Sequence, residues 1–259
     1  MRKLLILLLS FWLTTALDAQ EITVAAAADL NYAMKDVAAH FQQQTGNEVN
    51  LSLGASGNLY SEIRNGAPYD LFFSADSDYP KKLAASGLID SSSLRTYAVG
   101  HLVLWHPSIG GNHDYLPATR DEISKFLLRP DVKRIAIANP EHAPYGRAAM
   151  ATLQHYNLKG KVADKLVFGE NVSQAAQFVQ SGNAQVGFIP LSLILYPSSK
   201  NAHDYWSVPQ DAYPPLEQVA GIVSSSKHKK TAQAFLDYVR SAQGAAIMEQ
   251  YGFSMLAQK

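Results

Sequence analysis

Four small-residue corners carry the chemistry open to this chain. The first is Ala25-Ala-Ala-Ala-Asp-Leu-Asn31, which follows a short apolar stretch, Ile22 to Val24, and opens an amphipathic helix. The second is Gly54-Ala-Ser-Gly-Asn58; Pro144-Tyr-Gly146 and Glu170-Asn-Val172 read as a third and a fourth. Where a strand turns into a helix, the leading backbone N–H groups have no intrahelical partner, and the positive end of the helix dipole lies beside them. Such a corner holds an anion without any charged side chain. Repeated anion-facing corners point to capture of a small oxyanion.

The composition agrees with local dipoles rather than a broad positive field. The 259 residues include 22 basic and 22 acidic side chains and no cysteine. Arg2 and Lys3 precede an apolar run, Leu4 to Leu13, of the length of a signal-peptide core and too short for an ordinary membrane span. Cleavage is expected near Ala19. Loss of residues 1–19 takes away Arg2, Lys3 and Asp18 and leaves a formal charge of about −1 on the mature chain. A nucleic-acid binder would show a basic excess. Export without disulfides fits a bacterial periplasm, and the mature chain reads as soluble.

The elements that must position the corners alternate between strand and helix, which predicts an α/β fold with mainly parallel sheets flanked by helices. Leu30, Ala33, Met34, Val37, Ala38 and Phe41 recur with helical period, with Asp29 at the expected N-cap and Gly46 at the C-terminal stop. Val49, Leu51 and Leu53 alternate as a strand; Leu59 and Ile63 suggest a short helix; Asp70 to Ser74 reads as a buried strand. Tyr97 to Trp105 and Gln218 to Val223 are strands able to cross between two lobes, while 197–215, with four prolines, reads as irregular surface. The expected division is 20–98 plus 215–259 for lobe 1 and 99–214 for lobe 2, closing on a hinge around a solute.

Several blocks together resemble the periplasmic molybdate-binding proteins of ABC transporters. They are Ala-Ala-Ala-Asp-Leu from Ala26, Gly-Ala-Ser-Gly-Asn-Leu from Gly54, Asn-Gly-Ala-Pro-Tyr-Asp-Leu-Phe-Phe-Ser-Ala-Asp from Asn65, Asn-Pro-Glu-His-Ala-Pro-Tyr-Gly from Asn139 and the closing Tyr-Gly-Phe from Tyr251. The resemblance runs over essentially the whole mature chain. It implies a two-lobed type II periplasmic binding protein with molybdate or tungstate in the cleft, no cofactor, no catalysis, and molybdenum present only as the oxyanion. It implies a monomer that works with an inner-membrane permease and its ATPase. Lobe 1 would contact the oxyanion through Asp29, with Ala28 and Leu30 beside it, and through Ser56, next to Gly57. Lobe 2 would do so through Tyr145 and Val172, with Arg147 and Asn171 nearby. A tyrosine that some members use after the 186–189 strand matches Pro190 here; Tyr145 matches an earlier tyrosine of other members.

Molybdate at neutral pH carries no proton, so its four oxygens only accept hydrogen bonds. Charge-assisted bonds contribute roughly 1.5–3 kcal/mol each, and five to seven of them, less ordering and desolvation, can reach about −8 kcal/mol, the micromolar range. Asp29 is the awkward residue, because a carboxylate repels a dianion and most members carry a donor there. Three accounts stand open: Asp29 caps its own helix; Arg147 pairs with it across the cleft; or it accepts a proton from the ligand, which would favour a protonated oxyanion such as phosphate.

Plainer roles stand beside these. Ser56 could only cap its helix, Tyr145 could pack at the rim, and Val172 offers only its backbone N–H. Asp70 and Asp76 read as structural caps, Asn31 as a surface residue and Glu141-His142 as loop. No His-x-x-x-His spacing suggests a metal site, and His101 and His106, five apart on the expected strand, would face opposite ways. Gly-x-Ser-x-Gly is not met around Ser56, nor is a phosphate-loop or dinucleotide motif, which argues against an enzyme. A binder of sulfate or phosphate, or a ligand-sensing module, remains the rival reading.

Overall fold

The computed structural model describes residues 19–107, 120–196 and 205–256. The signal-like segment up to Asp18, the loop at Gly110–Asp114 and residues 197–204 lie outside the described residues.

In chain order the elements are β1 (Glu21–Ala27), α1 (Asn31–Thr45), β2 (Glu48–Gly54), α2 (Ser56–Arg64), β3 (Leu71–Ser74), α3 (Asp78–Ala85), β4 (Arg95–Gly100) and β5 (Leu102–Trp105). There follow α4 (Arg120–Leu127), β6 (Ile135–Ala138), α5 (Pro144–His155), β7 (Leu166–Gly169), α6 (Val172–Gln180), β8 (Val186–Pro190), β9 (Tyr205–Ser207), β10 (Leu216–Ile222), α7 (Lys229–Arg240), α8 (Ala242–Gln250) and β11 (Ser254–Met255). Two sheets result, ordered β11-β4-β10-β3-β1-β2 and β7-β6-β8-β5-β9. Most strands in each sheet point one way; β10 and β11 run against the first set and β5 against the second. The chain leaves the first sheet for the second at His101, between β4 and β5, and returns between β9 and β10.

Helix α1 forms because its apolar stripe has somewhere to go. Ala33, Met34, Val37, Ala38 and Phe41 are all buried against the first sheet, and Gly46, in the left-handed region at φ 74°, ends the helix. Phe41 meets Phe235 edge-on, Phe235 meets Phe73, and Phe73 meets Tyr97 at 5.3 Å between ring centres. Rings in such T-shaped contact add about 0.5–1.5 kcal/mol each beyond the area they bury. This ladder fixes Tyr97, whose buried hydroxyl donates to Gln218 Oε1.

Parallel pairing aligns the strand ends. Ala27 of β1 stands opposite Gly54 of β2, and Ala138 of β6 opposite Gly169 of β7. The carboxyl ends of neighbouring strands therefore open into helices side by side, the place where open α/β sheets bind ligands.

Three local expectations are corrected. Tyr205–Ser207, expected as irregular surface, is an edge strand paired with β5, because Trp206 and its neighbours find backbone partners there. The expected continuous strand from Tyr97 to Trp105 breaks at His101, where the pairing partner changes from β10 to β8. His101 consequently lies between strands, its ring bonded to the Ser254 hydroxyl, while His106 bonds the Gln185 carbonyl.

Candidate functional site

The four corners meet at one small cavity between the sheets. Ala27, Ala28 and Asp29 come from the end of β1, and Gly54, Ala55 and Ser56 from the end of β2. Ala143, Pro144 and Tyr145 come from the start of α5, and Asn171 and Val172 from the start of α6; Ala75 follows β3. The first two corners turn on small side chains, and Pro144, at the start of α5, presets the helical φ where no N–H is needed. Among the described residues, no lysine, arginine or histidine lines the cavity, and Asp29 is the one carboxylic acid there. A larger hollow of about 770 Å³ lies elsewhere, by the start of β1 and Asp70; there Asp70 accepts from Thr23 N and Ser226 Oγ, a structural role, as Asp76 does from Tyr79 N.

The sheets are drawn together around this cavity. Ser192 Oγ donates to the Asp29 carbonyl at 2.7 Å and Ser173 Oγ to the Ala28 carbonyl at 3.2 Å. Gly57 N donates to the His142 carbonyl at 2.8 Å. At the rim, Arg147 forms an ion pair with Asp76 at 2.5 Å and its guanidinium lies over the Tyr79 ring. With Ser173 and Ser192 occupying the carbonyls of the first corner, the cavity is left with donors: the N–H groups opening the helices and the hydroxyls of Ser56 and Tyr145.

The structure answers the three accounts of Asp29. The carboxyl is no helix cap: residues 28–30 form a 3₁₀ turn with Ala27 as N-cap, α1 begins after Leu30, and neither N-cap makes a side-chain hydrogen bond. The turn carries the side chain away from its own helix. Nor does Arg147 reach it, being held at the rim by Asp76. Instead Asp29, 1% exposed, accepts from Gln218 Nε2 at 2.9 Å through Oδ2, while Oδ1 has no hydrogen-bond partner. Burial pushes its pKa up to about 7, although the hydrogen bond from Gln218 and the nearby Tyr145 phenol pull the other way. The third account, a proton accepted from the ligand, needs an ionised carboxylate, whereas burial here favours the neutral acid.

This carboxyl makes stability depend on pH. An unfolded aspartate titrates near 3.9, so the closed protein holds the proton to higher pH than the unfolded chain does. Its contribution is full at low pH and declines as pH rises towards 7. Ligand-free protein is expected to melt several degrees lower at pH 8 than at pH 6, and Asp29→Asn to remove most of that difference; calorimetric scans at both pH values check it.

The remaining candidates separate clearly. Ser56 is the first residue of α2, not its cap, which is Ala55; its Oγ accepts from Ala75 N at 3.1 Å, leaving the hydroxyl proton available. Tyr145 is 2% exposed and sits inside, not at the rim. Val172 is buried by side chain and opens α6, so its N–H is free of the helix, whereas the Asn171 side chain caps that helix through Gln174 N. Leu30, Gly57 and Arg147 are not brought to the cavity: Leu30 belongs to the core of the first sheet, the Gly57 N–H is taken by His142, and Arg147 is at the rim. Asn31, half-buried, lines a different hollow.

Sequence reasoning missed Gln218, Tyr97, Ser192, Ser173 and Gly100. Tyr97 donates to Gln218 Oε1 at 3.2 Å, which sets the amide so that its NH₂ faces Asp29. A side chain at Gly100 would place Cβ 2.0 Å from the Tyr145 hydroxyl, so glycine is what admits Tyr145 to this group. Gln218 carries a signal in retrospect: it is a wholly buried polar residue in an apolar strand.

The model of the bacterial extracellular solute-binding protein family matches residues 22–254. This chain belongs to that family. The solute-binding protein is 38% identical over 243 residues to the molybdate-binding protein ModA of Azotobacter vinelandii, covering 94% of this chain and 93% of that one. It is 36% identical to the ModA of Rhodobacter capsulatus, over 91% of this chain and 88% of that one. The solved structure of the Azotobacter vinelandii periplasmic molybdate-binding protein superposes with a TM-score of 0.82, over 92% of this chain and all of that chain, at 34% identity. The two-lobed architecture with a ligand cleft is thus shared, and the family consists of binding proteins rather than enzymes.

Proposed function

We propose that this solute-binding protein captures molybdate, and with it tungstate, in the cavity between its two sheets. The observation that carries the reading is the convergence of four strand-to-helix corners, from both sheets, on a cavity that no cationic side chain lines among the described residues. A fully deprotonated tetrahedral guest makes use of such donors, and a cleft set for molybdate leaves the smaller sulfate with stretched bonds. The contacts are Ser56 Oγ, the Tyr145 hydroxyl, the Val172 N–H and Asp29, with the Ala28 corner adding backbone dipole. Similarity to two molybdate-binding proteins over nearly the whole chain supports the same guest.

The two halves act as lobes hinged where the chain changes sheets, at His101, two residues beyond the expected 98/99 boundary, and between β9 and β10. The chain is exported to the periplasm after cleavage near Ala19, works as a monomer, and hands its cargo to a membrane permease driven by an ATPase. The test is thermal unfolding with molybdate, tungstate, sulfate and phosphate. A ligand at 100 times its dissociation constant stabilises by about 2.7 kcal/mol. A clear rise with molybdate and tungstate and none with sulfate or phosphate is expected; a rise with phosphate or sulfate alone would reassign the guest.

A further inference from the structure

Asp29 poses a chemical problem for any deprotonated guest. An ionised carboxylate can only accept hydrogen bonds, and so can molybdate. Two acceptors in one buried site repel, yet Asp29 lines the cavity, and its surroundings define which of its oxygens can carry a proton. Tyr97 donates to Gln218 Oε1, so the Gln218 amide presents N–H to Asp29 Oδ2 at 2.9 Å. Oδ2 is therefore the accepting oxygen. Oδ1, fully buried, has no hydrogen-bond partner.

Among the described residues, nothing charged nearby would compensate an ionised Asp29. The phenols of Tyr97 and Tyr145 face it, and burial holds both well above the usual tyrosine range, so they remain neutral. Helix α6 and the turn at Leu191–Leu193, which also abut the first corner, carry no ionisable side chain. Lys35, Asp36 and His40 of α1, Glu48 of β2 and Glu217 of β10 are exposed to solvent, and Arg147 of α5 is paired with Asp76.

We propose that Asp29 engages the oxyanion as a neutral carboxylic acid, donating O–H from Oδ1 to a ligand oxygen, so that binding one deprotonated oxyanion draws one proton from solvent onto this side chain. The inference rests on reading the cavity as a tetrahedral-oxyanion site. The elevated pKa of the ligand-free carboxyl, about 7, runs in the required direction, and a bound dianion raises it further. The acid then does the work of a neutral donor, and affinity becomes linked to pH. Above the ligand-free pKa and below that of the complex, affinity falls about tenfold for each unit of pH.

The experiment is titration calorimetry of the whole mature protein with sodium molybdate at pH 8, in HEPES and in Tris. The two buffers differ in ionisation heat, so the difference in observed heat counts protons taken up. The expected result is between half a proton and one proton per molybdate, with Kd rising about tenfold from pH 8 to pH 9. Asp29→Asn, whatever its affinity, should show no uptake and no such slope. Tight molybdate binding by the unaltered protein with less than half a proton taken up overturns the inference and leaves the proposed function standing. Undiminished uptake in Asp29→Asn places the proton elsewhere and overturns it too. Absence of heat with both molybdate and tungstate, from pH 6 to pH 9, removes the proposed function itself. The proton count on the unaltered protein decides the matter even if the variant does not fold.

Discussion

Replacing Val172 by proline leaves the protein folded and costs it most of its molybdate affinity. Val172 is the first residue of α6, and proline is tolerated there because the N–H it lacks has no intrahelical partner. The preceding residue, Asn171, has φ −143° and ψ 179°, an extended conformation that suits a residue before proline. Asn171 keeps its cap on Gln174 N. What disappears is one backbone donor aimed at the cavity. A hydrogen bond to a charged group contributes about 1.5–3 kcal/mol, so Kd should rise roughly 10- to 150-fold while the ligand-free melting temperature moves little. Val172→Ala, which trims the buried side chain but keeps the N–H, should do the reverse: lower stability with affinity close to the unaltered protein. Calorimetric Kd values and ligand-free melting curves for both variants separate the cases. Equal affinity for the proline variant would show that this N–H does not reach the guest.

Replacing Gly57 by alanine should hold the lobes apart. The added Cβ would lie 2.6 Å from the Tyr79 hydroxyl and 2.9 Å from the His142 carbonyl oxygen. Tyr79 can swing aside, but His142 is backbone of the opposite half, drawn in by the Gly57 N–H at 2.8 Å. The cheapest relief is separation of the halves, since α2 itself gains about 1 kcal/mol from alanine in place of glycine. Overpacking of this kind costs about 1–3 kcal/mol, charged only to the closed form, so apparent affinity falls roughly 5- to 150-fold in proportion to the closed population. Small-angle scattering at saturating molybdate should show a larger radius of gyration than the unaltered protein. A variant that closes and binds normally would show that this seam can yield without opening the cleft.

Both predictions rest on features of different legibility. The Val172 corner was visible in the chain because helix starts are local: a capping Asn171, an apolar stripe at Ala175 and Val179, and a stop at Gly182 all fall within a dozen residues. The seam at Gly57 was not, because its partner is the carbonyl of His142, on the other side of the cleft, and no spacing along the chain announces that approach. Ser56 shows the limit from the other side. Its type and place fit a helix cap, yet the hydroxyl lies one position inside the helix and holds Ala75, from a different strand end.

Sequence alone determined the corners, the alternation of strand and helix, and the absence of a positive field, since these depend on residue type and on periods of two and 3.6. Tertiary structure decided the state of Asp29. Its carboxyl is bonded to a glutamine 189 positions away and walled in by tyrosines from β4 and α5. Whether a buried carboxyl is charged depends on desolvation and on every dipole around it, quantities that exist only once distant segments have closed over the side chain.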